Sequence, residues 1–310
     1  MPNFVTFTPN PALDVSTSVD RLVDAHKMRC ATPLMHPGGG GINVARVLHR
    51  MGADVLAVYP AGGVNGERLH GLLQDEGVPD LRVQIAQETR ESFTVHARDS
   101  RQEYRFVLPG PHLSPQEWRS CLASLRPLSG AWIVSSGSLP EGLGVDGHAQ
   151  VARLAREIGA RMVVDTSGPA LQAALEEGVW LVKPSLRELS ELSGLALTSR
   201  EMQRHAAQQL IAKGQARMVA LSLGSEGAML VTADECLQAQ ALSVPVAGSV
   251  GAGDSFLGGL LWALDTGATL ADALRTAMAA GSAAVMVPGT TLCDPAQVRR
   301  LQAQVMLQPC

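Results

Sequence analysis

The stretch "SVGAGDSFLGGLLWAL", Ser249 to Leu264, places an aspartate in the first turn of a helix that opens on small residues. Gly251, Ala252 and Gly253 present consecutive backbone N–H groups. At a helix N-terminus such a turn can hold a phosphoryl group as negative charge develops on it. Asp254 beside them has the chemistry of a general base, able to take a proton from an alcohol while a phosphoryl group is transferred to its oxygen. The positive end of the helix is expected to favour the ionised carboxylate. A second bare stretch, "PGGGGINVARVLHRMG" from Pro37 to Gly52, sets Gly38 to Gly41 directly before apolar residues at helical spacing: Ile42, Val44, Ala45, Val47, Leu48 and Met51. Glycine there lets another group come within hydrogen-bonding distance of the main chain. Taken singly, each stretch reads equally well as a turn that packs or caps a helix.

Loops of this kind need rigid elements to hold them. Short β-rich runs alternate with helical patterns: "ADVLAVYP" before "NGERLHGLLQDEG", "AWIVSS" before "VDGHAQVARLAREIG", "RMVVD" before "PALQAALEEG", "WLVKP" before "SLRELSELSG", then "RMVALSLG". Strands apolar on both faces and separated by helices predict right-handed crossovers, hence a mostly parallel, doubly wound α/β sheet flanked by helices. Residues 1–310 read as one domain. Two segments break the rhythm, "NPALDVSTSVDRL" with "KMRCATPLMHPG", and "RESFTVHARDSRQEYRFVLPG" with a turn near Asp99 and Ser100. They predict a small projecting β-sheet, a lid formed by about 14–37 and 90–109. One apolar face of so small a sheet needs cover, and a second copy of the chain can supply it, so a homodimer through the lid is expected.

Composition narrows the partners. With 25 basic and 29 acidic side chains and a net charge of -4, the chain has no general field for nucleic acid or an anionic membrane. An anionic ligand must therefore be met by a few placed cations. Met1 to Asn10 lacks a basic segment followed by an apolar run, and no stretch reaches about 18 apolar residues, which predicts a cytoplasmic location. Five cysteines at wide, irregular spacing predict reduced thiols rather than a disulfide frame or a zinc site.

The two glycine loops, with a parallel sheet between them, resemble the signatures of the ribokinase/PfkB family of carbohydrate kinases. The resemblance spans essentially the whole chain and rests on "TPNPALD", "PGGGGINVAR", "YRFVLPG", "SGSLP" and "VGAGDS". It implies a ribokinase-like fold and an ATP-dependent kinase that phosphorylates the 1-hydroxyl of fructose 6-phosphate, giving fructose 1,6-bisphosphate and ADP. Kinases of fructose 1-phosphate and tagatose 6-phosphate typically carry a lysine in the first glycine run, where this chain has only glycine. Those two substrates remain the nearest alternatives. A nicotinamide-dependent oxidoreductase fares poorly, because no G-x-G-x-x-G follows a first strand with an acidic residue about 20 positions on. A non-catalytic sugar-phosphate sensor is opposed by Asp254.

Position by position, the resemblance implies that Asp14, Gly38, Gly39 and Asn43 hold the sugar, and that Arg90, Arg105 and Ser138 grip its phosphate. Guanidinium suits that task because its planar fork meets phosphate oxygens in pairs. On the nucleotide side it implies Lys27 at the terminal phosphate, Ser222, Gly224 and Gly227 along phosphate and ribose, and Ser282 near adenine. "VKPSLREL" departs from the family's Asn-x-x-Glu: Ser185 replaces the asparagine, Glu188 is retained beside the hydration shell of Mg2+, and Lys183 is placed to compensate. A monovalent cation such as K+ near the GAGD loop is also implied.

Overall fold

The computed structural model describes residues 2–100, 102–128 and 132–310. Along the first half run β1 (Phe4–Phe7), β2 (Ala12–Val19), β3 (Leu34–Gly38), α1 (Gly40–Arg50), β4 (Val55–Ala61), α2 (Gly63–Asp75), β5 (Asp80–Gln84), β6 (Arg90–Ala97), β7 (Gln102–Val107) and α3 (Pro115–Leu125). Then follow β8 (Trp132–Ser136), α4 (Gly147–Glu157), β9 (Arg161–Asp165), α5 (Gly168–Glu176), β10 (Val179–Val182), α6 (Leu186–Ser193), α7 (Arg200–Ala212) and β11 (Ala216–Ser222). The chain closes with β12 (Ala228–Val231), β13 (Cys236–Ala239), α8 (Ala252–Asp265), α9 (Leu270–Val285), α10 (Pro295–Gln302) and β14 (Leu307–Pro309).

The large sheet has the order β14-β13-β12-β11-β10-β9-β8-β1-β4-β5. From β5 to β11 every pairing is parallel, as the alternation of strands and helices requires. Successive residues of these strands feed opposite layers. On β11, Met218 and Ala220 pack with α1, α8 and α9, whereas Val219 and Leu221 pack with α4, α5 and α7. Burial on both faces is why the strands read as unbroken apolar runs.

Two features depart from the sequence reading. Beyond β11 the sheet turns antiparallel through β12, β13 and β14: the short β11–β12 and β12–β13 connections require it, whereas β14 returns to the edge only after α8, α9 and α10. This edge also brings Cys236 and Cys310 together. The backbone N–H of Cys310 donates to the carbonyl of Cys236 at 3.2 Å, and the two form a disulfide, with Cα atoms 5.4 Å apart. The expectation of only reduced thiols is corrected: the pair lies 74 positions apart, and only the return of the last strand to β13 makes them neighbours. Cys30 is exposed, and Cys121 and Cys293 are buried free thiols.

A separate four-stranded sheet, β3-β2-β6-β7, stands where the small projecting lid sheet is expected. Its outer strands pair antiparallel and β2 pairs parallel with β6. Residues 21–33 form a loop rather than a longer strand. Val15 opposes Met35 and Phe93, Phe93 opposes Phe106, and Val95 opposes Tyr104, so the apolar residues share one face. Alternation puts Asp14, Ser92, Thr94 and Arg105 on the other face, toward the large sheet. Among the described residues no helix is long and apolar enough to cross a membrane.

Candidate active site

The four glycines have distinct duties. Gly38 closes β3, Gly39 is the N-cap of α1, and Gly40 and Gly41 form its first turn. Only Gly39 needs positive φ, at 116°. The others are bare because there is no room: a Cβ on Gly38 would collide with the Asp14 carboxylate, one on Gly40 with the Ser136 hydroxyl, and one on Gly41 would sit 2.5 Å from Thr8 Oγ1. The run brings β2, β8 and α1 together at the rim of the large sheet.

The GAGD turn meets it from the other side. Gly251, at φ 79°, is the N-cap of α8 and has no room for a side chain against Leu292. It turns the chain so that Ala252, Gly253 and Asp254 enter the first helical turn. The helices α1 and α8 approach closely where Gly258 lies against Val47. That contact sets Asn43 opposite Asp254, and Asn43 Nδ2 donates to Asp254 Oδ2 at 2.8 Å.

A cavity of about 220 Å³ opens between the two loops, lined by Asp14, Gly39, Gly40, Asn43, Arg105, Ser136, Gly137, Asp165, Val250, Gly251 and Asp254. Burial raises the Asp254 carboxyl above its ordinary range; the Asn43 bond, Lys183 and Arg105 oppose the rise, and Asp14 adds to it. The expectation that the helix end would dominate and favour ionisation is thereby corrected. Desolvation wins, and a base whose pKa lies nearer the working pH is the better proton acceptor. Asp14 is raised by the same cause, against Arg105, a 3.3 Å hydrogen bond from Thr290 Oγ1, Arg46 and Arg90.

Sequence reasoning missed Asp165, at the end of β9. Its carboxylate lies 3.0 Å from Lys183 Nζ, and burial lifts it to about 6 despite that ammonium. Lys183, just past β10, is raised, because Asp165, Asp254 and Glu188 outweigh its own desolvation. It was expected only on the nucleotide side, yet it neighbours Gly253 as well.

The lid supplies cations. Arg90 Nη2 donates to the Asn10 carbonyl at 3.0 Å and Nη1 to that of Leu108 at 3.4 Å, while its Nε is buried without a partner. Asn10 in turn donates to Ser138 Oγ at 3.3 Å, so Arg90 and Ser138 flank one residue. Arg105 is exposed on β7 and opposes Thr94. Behind the SGS loop, buried His148 is pushed down to about 4 by desolvation and is neutral near pH 7. Its Nε2 donates to the Gly137 carbonyl at 3.0 Å and its Nδ1 accepts from Ser135 at 2.8 Å.

Other expected residues are placed less directly. Ser185 and Glu188 form a capping box at α6: Glu188 Oε2 accepts from the Ser185 N–H at 2.8 Å and Ser185 Oγ accepts from the Glu188 N–H at 3.3 Å. Serine is a strong N-cap, which accounts for its tolerance there. Ser222 donates to the Pro184 carbonyl, and Gly224 and Gly227 take positive φ in the turn that follows. Ser282 is half-buried on α9 beside Gly281, which packs on Ala252. Lys27 is exposed in the loop after β2 and does not line the cavity. A larger cavity of about 610 Å³ among α5, α6 and α7, walled by Leu175, Leu189 and Leu210, contains none of the expected residues.

Arg46 was also missed. A charge inside the nearly all-apolar run Ile42 to Leu48 must be buried and paired, and that is the signal the sequence carried. Its side chain is fully buried, and its fork meets Glu76, which Arg50 also contacts at 2.9 Å. Desolvation alone would raise Glu76, but the bonds and charges of Arg46 and Arg50 hold it below its ordinary value of 4.5. Glu76→Gln is expected to cost about 2 kcal/mol at pH 7, the worth of charged hydrogen bonds. A depressed carboxylate stabilises above its unfolded pKa and loses that effect as pH falls through its folded value. Thermal melts of the two proteins should therefore converge below pH 4.5; a gap unchanged down to acid pH would disprove the ion pair's contribution.

Residues 12–297 match the pfkB family carbohydrate kinase profile. The chain is 43% identical over 301 residues to the ATP-dependent 6-phosphofructokinase isozyme 2 of Mycobacterium tuberculosis, covering 96% of this chain and 88% of that protein. It is 33% identical to the 1-phosphofructokinase of Rhodobacter capsulatus, covering 98% of this chain and 96% of the relative. Its fold superposes with a TM-score of 0.93 on the crystal structure of phosphofructokinase-2 from Escherichia coli in complex with fructose-6-phosphate, at 39% identity, covering 98% of this chain and 99% of that one.

Proposed function

The chain belongs to the pfkB family of carbohydrate kinases, and on that premise we propose that it is an ATP-dependent 6-phosphofructokinase transferring the γ-phosphoryl group of ATP to the 1-hydroxyl of fructose 6-phosphate. The observation that carries the reading is Asp254: a carboxylate raised by burial, oriented by Asn43, at the start of the α8 helix and facing a cavity that Asp14 and Arg105 also line. The sugar lies against the bare backbone of Gly38 and Gly39, with its hydroxyls on Asp14 and Asn43. Its phosphate is held by Arg90, Arg105 and Ser138.

Asp254 takes the proton of the attacking hydroxyl, and the N–H groups of Gly251, Ala252 and Gly253 receive the charge of the transferring group, a reaction that is largely positioning and electrostatics. Lys183 adds a cation beside Gly253. Mg2+ fits here as the ion of MgATP and supplies neutralisation of phosphate charge; among the described residues no cluster of three or more acidic, His or Cys side chains would cage it alone. Glu188 is the carboxylate placed to meet its hydration shell. Lys27, Ser222, Gly224, Gly227 and Ser282 remain the nucleotide contacts, and Ser185 serves as a cap. For K+, the loops around Gly251 and Leu292, which pack on each other, are the expected source of carbonyl ligands. ATP and a phosphorylated sugar as substrates support a cytoplasmic location.

A panel of sugar phosphates assayed with ATP tests the substrate. Fructose 6-phosphate is expected to give the highest kcat/KM, and preference for fructose 1-phosphate or tagatose 6-phosphate would replace it; higher identity to the isozyme 2 relative supports the first. In the same assay, Arg90→Ala and Arg105→Ala should raise KM for the sugar phosphate by roughly 10-fold or more while leaving KM for ATP nearly unchanged. Weakened ATP binding alone would put the two arginines at the wrong end of the site.

We further propose that the active form is a homodimer joined through the apolar lid face. On that face Met35, Tyr104 and Phe106 are exposed in the single chain, and an isologous contact would cover them.

A further inference from the structure

Arg46 touches three walls of the site at once. Its Nη1 faces the Thr290 carbonyl at 2.9 Å, the Pro37 carbonyl at 3.3 Å and Asn43 Oδ1 at 3.3 Å. Pro37 leads into the glycine run. Thr290 donates its hydroxyl to Asp14. Asn43 donates its amide to Asp254. Nε and Nη2 are held by Glu76, so the guanidinium is fixed on its far side.

The consequence lies in the asparagine. An amide has one accepting and one donating end, and guanidinium can only donate. The end of Asn43 that faces Arg46 must therefore be Oδ1, which leaves Nδ2 for Asp254. With the amide turned over, Oδ1 would face the carboxylate and two acceptors would oppose each other. We propose that Arg46 is a positioning residue for the reaction: it fixes the orientation of the Asn43 amide, and through it the carboxylate of Asp254, while anchoring the Thr290 segment that steadies Asp14. This rests on the reading of Asp254 as the base.

Around Asp254 stand Lys183, Arg105, Asp14 and Asp165, from four different elements or their ends, and of these Asp14 also lies within the field of Arg46. Removing Arg46 frees the amide and loosens the Thr290 segment behind Asp14, while Lys183, Arg105 and Asp165 have no contact with it to lose. The Asn43 bond lowers the Asp254 carboxyl, so its loss should shift the acid limb of the kcat profile to higher pH.

The test is a double-mutant cycle on the full-length protein with ATP and fructose 6-phosphate, using Arg46→Met, Asn43→Ala and the pair. Arg46→Met should lower kcat by roughly 10- to 100-fold, the scale of a small misplacement at a reacting group, with the acid limb moved upward. The double variant should fall by clearly less than the product of the two single losses, because both act on Asp254 through the same amide. Losses that multiply, or a kcat and acid limb unchanged in Arg46→Met, would overturn the proposal. If Arg46→Met does not fold, Arg46→Lys takes its place in the same cycle, since lysine keeps a cation against Glu76 without the fork that also reaches Asn43. Asp254→Asn separates the two ideas: if that variant remains active, the reading of the base fails, whereas its collapse beside a multiplicative cycle removes only the role of Arg46.

Discussion

Asp254→Asn is expected to lower kcat with fructose 6-phosphate by about 10²- to 10⁴-fold, the usual worth of a positioned general base, with KM for both substrates changing only a few-fold. The amide keeps the shape of the carboxylate and can still meet Asn43, so the cavity and the α8 start should persist. What is lost is the proton acceptor. A variant within a few-fold of the parent in kcat would remove Asp254 from the mechanism. The pH profile gives a second reading of the same group. Burial raises the Asp254 carboxyl above its ordinary value of 3.8, so the parent's activity should be lost on the acid side at a pH above that value, as the base becomes protonated. In the asparagine variant that limb should disappear from the residual rate.

Asp254 and the glycine turns were legible in the sequence because their chemistry is local. Three small residues before an acid, or four glycines before an apolar helix, state a backbone requirement within one turn. Alternating strands and helices likewise stated the parallel core, and the periodicity of the lid strands stated its two faces. Asp165 and Lys183 belong to different strand ends, and only the β9–β10 pairing makes them an ion pair. Arg46 lay within a motif that was read for its apolar residues, and its half-buried partner Glu76 comes after a whole βα unit. The direction of the Asp254 shift was also out of reach, because helix position is visible in a sequence whereas desolvation depends on what the fold sets around the group. The antiparallel edge and its disulfide have the same cause: nothing local to Cys310 says which strand it returns to.

Phe106→Glu is expected to convert the protein from dimer to monomer at micromolar concentration. Phe106 is more than half exposed in the single chain, at 54%, and faces outward with Phe93, Tyr104 and Val95. Burying a phenylalanine side chain contributes about 1.5–3 kcal/mol, and an isologous contact uses each such residue twice. Losing both copies should therefore weaken the dimer by roughly 10²- to 10⁴-fold, before the cost of desolvating a carboxylate is added. Activity should fall with it, for a reason the lid's register supplies. Arg105 sits on β7 beside Phe106 with its side chain on the opposite face, and Arg90 begins β6. A lid strand braced on one face by a second subunit holds its cations still on the other; a free one does not, and precise placement is what binding to phosphate requires. KM for fructose 6-phosphate should rise more than KM for ATP. Glu103 provides an internal check, since it reaches from β7 to accept from Ser249 Oγ at 3.3 Å, so the lid keeps one tether to the GAGD loop even as a monomer, and some activity should survive. Sedimentation velocity read beside the kinetics decides the matter: a monomeric Phe106→Glu with parental KM values would separate assembly from phosphate binding, and a parent protein that sediments as a fully active monomer would refute the dimer altogether.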